Sequence, residues 1–255
     1  MDAFLRSYLD GKFWLSDTLC AGVRPVSPEM FAEFCPRFFD GFFVSIELLV
    51  LSTLMGFVIA IAVALARTSG VAILGFIAGA YIYVFRGTPV LVQLWVFYYG
   101  LGALGADGLG PLWPLFRDGY TVGLMVLTIN TAAYSAEIFR GGIVNVPRGQ
   151  LEAATAAGMD WWTVMRRIAL PQALRIAWPA YSNEVILLMK CSALVSTITV
   201  LDLMGQTRTI FARTYSLEIF LYAIVLYLLL AGTLTVILRL IESRMRLPGQ
   251  SRFAG

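Results

Sequence analysis

The run GFFVSIELLVLSTLMGFVIAIAVALA, residues 41–66, carries a single charge, Glu47, and is closed by Arg67. About 20 apolar residues in helical form cross the roughly 30 Å hydrocarbon core of a bilayer, so this run is long enough to span one with some tilt. A chain with several such runs must satisfy its backbone groups inside lipid, which only helices and closed barrels do. The composition agrees, with 59% of the 255 residues hydrophobic and 14% charged, against roughly a quarter charged in an ordinary soluble domain. The expected fold class is an all-α integral membrane bundle.

A second apolar region, from Val71, is broken by FRGTP at 85–89. Proline and arginine there divide it into an interfacial stretch at 71–85 and a span at about 88–104. The loop ADGLGPLWPLFRDG has the composition of a short connection and leads to a third span at about 120–139, closed by Arg140. Residues 141–179 are polar and helix-forming and hold, with Arg140 at their edge, five arginines; they are expected to stay outside the membrane. A fourth span at about 180–200 and a fifth at about 217–238 complete the set.

Five spans put the termini on opposite sides. Arg67, Arg86, the arginine-rich loop and the arginines from Arg239 to Arg252 all fall on one side, which the positive-inside rule makes cytoplasmic. The first 40 residues hold four basic and six acidic side chains, as expected outside. The layout is therefore a periplasmic or interfacial segment at 1–40, a transmembrane domain at 41–240 containing the loop 141–179, and a cytoplasmic tail at 241–255. Asp2, Arg6, Asp10, Lys12 and Asp17 interrupt the apolar residues near the N-terminus, so the uninterrupted core of a cleavable signal is missing and the first residues are expected to be retained.

Several chemistries are excluded at this level. No histidine is present, which removes histidine proton relays, serine/histidine triads and the commonest transition-metal ligand. Of three cysteines, Cys191 falls in an apolar stretch, while Cys20 and Cys35 can pair if their segment faces an oxidising compartment; the sequence leaves that open. A net charge of +3, scattered along the chain, reads as membrane topology rather than nucleic-acid binding. The chain has no G-x-x-x-x-G-K-[ST] run to cradle nucleotide phosphates. Nor does it show the internal duplication common in secondary transporters.

The polar loop carries the most specific pattern. Glu152, Ala153 and Ala154 are followed after three residues by Gly158 and after nine more by Ile168, Ala169, Leu170 and Pro171. LEAATAAG consists of strong helix formers with small side chains and ends in glycine, which favours a short helix stopped at Gly158. The full spacing resembles the EAA loop of binding-protein-dependent ABC importers. FRGTPVLVQL at 85–94, NTAAYSAEIFRGGI at 130–143, PAYSNEVIL at 179–187 and SALVSTITVLDL after them resemble polar amino-acid permeases. They are most similar to the M-type subunits of histidine/lysine/arginine/ornithine and opine importers, and the resemblance covers roughly residues 40–245. Glu47 departs from it, since an apolar residue is expected there.

The resemblance implies a type I importer permease fold with five transmembrane helices, an interfacial helix and a cytoplasmic coupling helix that docks in a cleft of the ATPase through Glu152, Ala153, Ala154 and Gly158. It implies no catalytic residue, metal or cofactor in this chain, with ATP and magnesium held by two partner ATP-binding cassette subunits. The other implied partners are a second, homologous permease subunit and a periplasmic amino-acid-binding protein. Membrane lipid surrounds the assembly and nucleic acid has no part in it. The implied work is import of a cationic amino acid or an opine across the bacterial inner membrane by alternating access. Two other readings are an ion-coupled carrier acting alone, which leaves the EAA spacing without purpose, and an assembly subunit without a transport path.

Candidate substrate residues follow from polar groups inside the spans. If the fourth helix begins near Gln172, Glu184 lies about 12 residues, or roughly 18 Å, along it and near the midplane. An acid there costs about 2.5–3.5 kcal/mol on insertion scales, so it is expected to face a polar cavity or a partner. Asn183 beside it and Gln93 in the second span are candidates to supply amides to the same cavity. In this reading the carboxylate balances a cationic amino acid and the amides hold its backbone ends. The structural alternative is a pairing of Glu184 with Lys190 that joins helices, although six residues is poor spacing for one helix face. Asn130 and Tyr134 in the third span are further candidates, for the pocket or for bridging neighbouring helices. Glu137 and Arg140, with Arg86 near the same cytoplasmic end, are expected to form an ion-pair cluster. Trp161 and Trp162 read as an interfacial anchor or as packing against the ATPase.

Overall fold

The computed structural model describes residues 2–23 and 28–245, and the side chains of these apart from 2–10, 12 and 13. The tail expected at 241–255 therefore lies outside the described residues from 246 on, Arg246 and Arg252 with it, as do the side chains of Asp2, Arg6, Asp10 and Lys12.

All regular structure among the described residues is helical. In order, the helices are α1 (Asp2–Val23), α2 (Glu29–Thr68), α3 (Ala72–Gly87) and α4 (Val90–Trp95), the last running into a π-helical turn at Val96–Leu101. Short α5 (Gly105–Leu109) and α6 (Trp113–Phe116) precede the long α7 (Gly119–Val144). Then come α8 (Arg148–Ala156), α9 (Trp161–Val164), α10 (Leu170–Ser192), α11 (Leu203–Thr214) and α12 (Glu218–Met245). Four helical stretches are long and apolar enough to cross a membrane: Glu29–Thr68, Val90–Phe116, Gly119–Val144 and Glu218–Met245. Trp161–Ile198 with Leu203–Thr214, bent by 48°, makes a fifth if counted as one broken span.

One boundary differs from that read in the sequence: α2 begins at Glu29 rather than Gly41 and runs through Pro36, whereas α10 begins at Leu170, close to the start near Gln172 used to place Glu184. The extension of α2 alternates polar and apolar residues, so hydropathy stops early while one face still packs. In α2 that face carries Phe31, Cys35 and Phe38, all buried.

The chain forms two compact units. The first takes in the residues up to Leu51, Leu91–Leu127 and Met189–Gly232. Its core joins Cys20, Phe31, Cys35 and Phe38 to Leu203, Ile210, Ile219 and Leu226. Phe31 stacks on Phe38 with ring centroids 5.4 Å apart, and Tyr222 meets both rings edge-on. Cys20 and Cys35 are joined in a disulfide that ties α1 to α2. The fully buried Asp202 accepts the Gly205 amide at 2.9 Å and so caps α11. Ser45 donates its hydroxyl to the Gly41 carbonyl and accepts the Leu203 amide, both at 3.1 Å. Gly41 is required there, because a Cβ would sit 2.8 Å from the Asp202 carbonyl oxygen. Glu47, out of place in the sequence, accepts the Tyr120 hydroxyl at 2.6 Å and is only half-buried. Around the π-helical turn, the Trp95 indole donates to Thr197 Oγ1 at 3.2 Å and the Tyr99 hydroxyl to the Thr197 carbonyl at 3.0 Å.

The second unit takes in Ser52–Val90, Thr128–Leu188 and the residues from Thr233. Phe57, Phe139 and Tyr181 form an aromatic cluster with centroids 5.2–5.6 Å apart. Trp178 adds to it and donates its indole N–H to the Leu238 carbonyl at 3.3 Å. Helices α7 and α10 come together at Gly142, where a Cβ would lie 2.5 Å from the Ala173 carbonyl oxygen. Small residues at such crossings let membrane helices pack backbone to backbone.

Candidate functional site

The middle of α7 organises the polar groups of the second unit. Residues 130–134 read Asn-Thr-Ala-Ala-Tyr, and the end of α3 lies against them: the Tyr81 hydroxyl donates to the Ile129 carbonyl at 2.5 Å, Asn130 Nδ2 to the Phe85 carbonyl at 3.2 Å and the Tyr134 hydroxyl to the Arg86 carbonyl at 3.4 Å. The last two bonds take up backbone carbonyls at the C-terminus of α3, which have no partner within their own helix. Asn130 and Tyr134 thus bridge helices, the second of the two roles expected for them. Arg86 lies near Glu137, as expected for it, and its guanidinium carbon is 5.1 Å from the Tyr134 ring centroid. Such a stack favours a cation on the face of the ring.

Glu184 is 9% exposed on α10, and Thr131 donates its hydroxyl to it. Arg86 is close enough to act on the same carboxylate electrostatically. The alternative pairing with Lys190 is not formed among the described residues, and Lys190 is exposed. Asn183, adjacent in sequence, is also exposed and lies about 100° around the helix from the buried acid. Gln93 is buried on α4, in the first unit.

Glu137 and Arg140 form the expected ion pair, Arg140 Nε donating to Glu137 Oε1 at 2.7 Å. Glu137 also lines a cleft of about 440 Å³ with Arg67, Gly79, Tyr83, Arg86 and Tyr134. Pockets of roughly 300–1,000 Å³ take small molecules. Arg67 is steadied there by donating to the Gly75 carbonyl at 3.1 Å. The residues missed in the sequence are thus Thr131 and Tyr81, while Arg86 was expected only as a member of the ion-pair cluster. The arginine inside FRGTP was the one available signal, since it closes an apolar stretch.

The loop after α7 holds the other expected element. Helix α8 covers Arg148–Ala156, and Gly158 follows it at φ +79, a left-handed conformation that suits glycine and stops the helix where the sequence places the stop. Glu152 and Ala153 are exposed, while Ala154 is 5% exposed and turns inward. Gln172 on α10 donates its side-chain amide to Gln150 and anchors the helix from the other side.

Asp160 caps α9 by accepting the Thr163 hydroxyl and the amides of Trp162 and Thr163. The Thr163 hydroxyl first, then these amides, hold its carboxyl below the ordinary carboxylate range. A lowered folded value stabilises the cap at neutral pH, and that gain is lost as pH falls through it. Thermal melts of the wild type and Asp160→Ala are expected to differ at neutral pH and to converge in acid; a gap independent of pH refutes the charged cap.

Known proteins place this architecture. The family described as binding-protein-dependent transport system inner membrane component matches residues 48–247. The chain belongs to that family. It is a multi-pass inner-membrane permease component of an ABC importer, and ATP hydrolysis is the work of a separate subunit. The chain is 40% identical over 219 residues to the octopine transport system permease protein OccM of Rhizobium radiobacter, covering 86% of this chain and 89% of that one. It is 44% identical over 208 residues to the histidine/lysine/arginine/ornithine transport system permease protein HisM of Escherichia coli K12, covering 81% and 87%. The crystal structure of an amino acid ABC transporter with histidines superposes with a TM-score of 0.74 at 33% identity, over 86% of this permease and all of that chain. A permease component of this family works with ATPase and substrate-binding partners.

Proposed function

We propose that this permease imports a cationic amino acid, of the histidine/arginine/lysine/ornithine class, or an opine, and that Glu184 balances the positive charge of the substrate. The observation that carries the reading is a carboxylate 9% exposed on a membrane helix whose hydrogen-bond donor is the neutral Thr131 hydroxyl. An acid kept at such cost in lipid serves a polar ligand or path. The names of the relatives, transporters of octopine and of histidine, lysine, arginine and ornithine, support the same class.

In this reading the permease pairs with a second, homologous subunit and with two ATP-binding cassette subunits that hold ATP and magnesium, and a periplasmic protein delivers the substrate. The α8 helix, with Glu152 and Ala153 outward, docks on the ATPase and carries its closure to the spans. The N-terminus is periplasmic and the C-terminus cytoplasmic. The Cys20–Cys35 disulfide supports that orientation, because such bonds persist in oxidising compartments.

The test is uptake of labelled arginine, histidine, glutamine and octopine into proteoliposomes holding the whole complex, with ATP inside and binding protein outside. ATP-dependent uptake of arginine, histidine or octopine in preference to glutamine supports the reading. Equal or preferential glutamine uptake overturns the substrate class, and uptake without ATP overturns ATP-driven import.

A further inference from the structure

We infer that Arg86 is a specificity-determining residue that takes the carboxylate of the transported amino acid, so that transport requires a substrate with a free carboxylate next to its cationic group. The inference rests on the reading of Glu184 as the group that meets the substrate's positive charge and adds the opposite pole.

Three observations carry it. The Arg86 guanidinium makes no ion pair among the described residues; it is exposed, and lies on the Tyr134 ring 5.1 Å from the centroid. It opens into a cleft of about 440 Å³ where the one acid, Glu137, is already paired with Arg140. With Arg67 on the same cleft, the unsatisfied charge there is positive, which suits an anion of small-molecule size. Finally, α7 supports both groups: Thr131 holds Glu184 of α10, and Tyr134, one turn further on, holds the backbone of Arg86 at the end of α3 and underlies its guanidinium. A guanidinium also grips a carboxylate through two parallel N–H bonds, which a lysine cannot do.

The phosphate of an anionic lipid offers related charge, but a lipid headgroup does not account for a cation-binding carboxylate and an anion-binding guanidinium both supported from α7. The experiment is binding to the intact permease–ATPase complex in detergent without the binding protein, so that the permease alone discriminates. The ligands are arginine, histidine and glutamine, each compared with its α-carboxamide. In the wild type the carboxamide is expected to bind about ten- to a hundredfold more weakly than the acid, as for loss of a hydrogen bond to a charged group. Arg86→Gln is expected to weaken the acid by the same factor and leave the carboxamide unchanged, while Arg86→Lys recovers only part of the loss. Co-elution of permease and ATPase on gel filtration reports an intact complex, and Arg86→Lys serves if the glutamine variant does not assemble. Equal discrimination between acid and carboxamide in wild type and variant overturns the proposal. So does a variant whose defect follows the phosphatidylglycerol content of the micelle rather than the ligand. The Glu184 reading fails separately, by an absent preference for arginine and histidine over glutamine, and the carboxamide comparison for glutamine still decides the role of Arg86.

Discussion

Glu184→Gln is expected to abolish accumulation of cationic substrates while leaving basal ATP hydrolysis by the complex intact. The substitution keeps the size of the side chain and its capacity to accept the Thr131 hydroxyl, so packing around this position on α10 is preserved. What disappears is the charge. A hydrogen bond to a charged group contributes about 1.5–3 kcal/mol, and a desolvated partner more, so affinity for arginine or histidine is expected to fall at least tenfold. Because the acid is costly in lipid, the same change is expected to leave the fold as stable or make it slightly more so. Arginine uptake within twofold of the wild type removes Glu184 from the substrate path; a lower melting temperature with uptake preserved assigns it a purely structural role.

Filling the small exposed face of α8 is the second large effect. Ala153→Trp places an indole where a methyl group now stands, exposed on α8 about 100° around the helix from the buried Ala154. The residue touches no core of its own chain, so the isolated permease is expected to fold unchanged. Overpacking a docked surface costs about 1–3 kcal/mol, which converts to roughly five- to 150-fold weaker engagement with the ATPase. ATP-dependent uptake should fall correspondingly, with substrate binding by the permease unaltered. Normal uptake by the Ala153→Trp complex shows that α8 meets no partner through this face. Loss of substrate binding together with uptake shows that the substitution acted within the chain.

Patterns that repeat locally were the legible ones. Long apolar runs gave the spans, and the small helix formers ended by Gly158 gave α8 with its left-handed stop. The burial of Glu184 was legible because the price of an intramembrane acid is known in advance. What escaped depended on residues distant in sequence. Glu47 looked misplaced until Tyr120, 73 residues away, was found donating to it. Arg86 was placed near Glu137 by the order of the spans, but the bonds from Asn130 and Tyr134, more than 40 residues on, to the carbonyls around it left no local trace. The amphipathic start of α2 was lost because its apolar face finds partners only after folding.

The disulfide between Cys20 and Cys35 lies outside the stretch that defines the family, which begins at residue 48, yet the core around it borrows Leu203, Ile210, Ile219 and Leu226 from inside that stretch. The boundary of the family's shared stretch and the boundary of the folded unit therefore do not coincide. A shortened gene that starts at residue 48 would strip the cover from those four side chains and leave an oily scar, so the N-terminal helices belong in any version of this permease made for the bench.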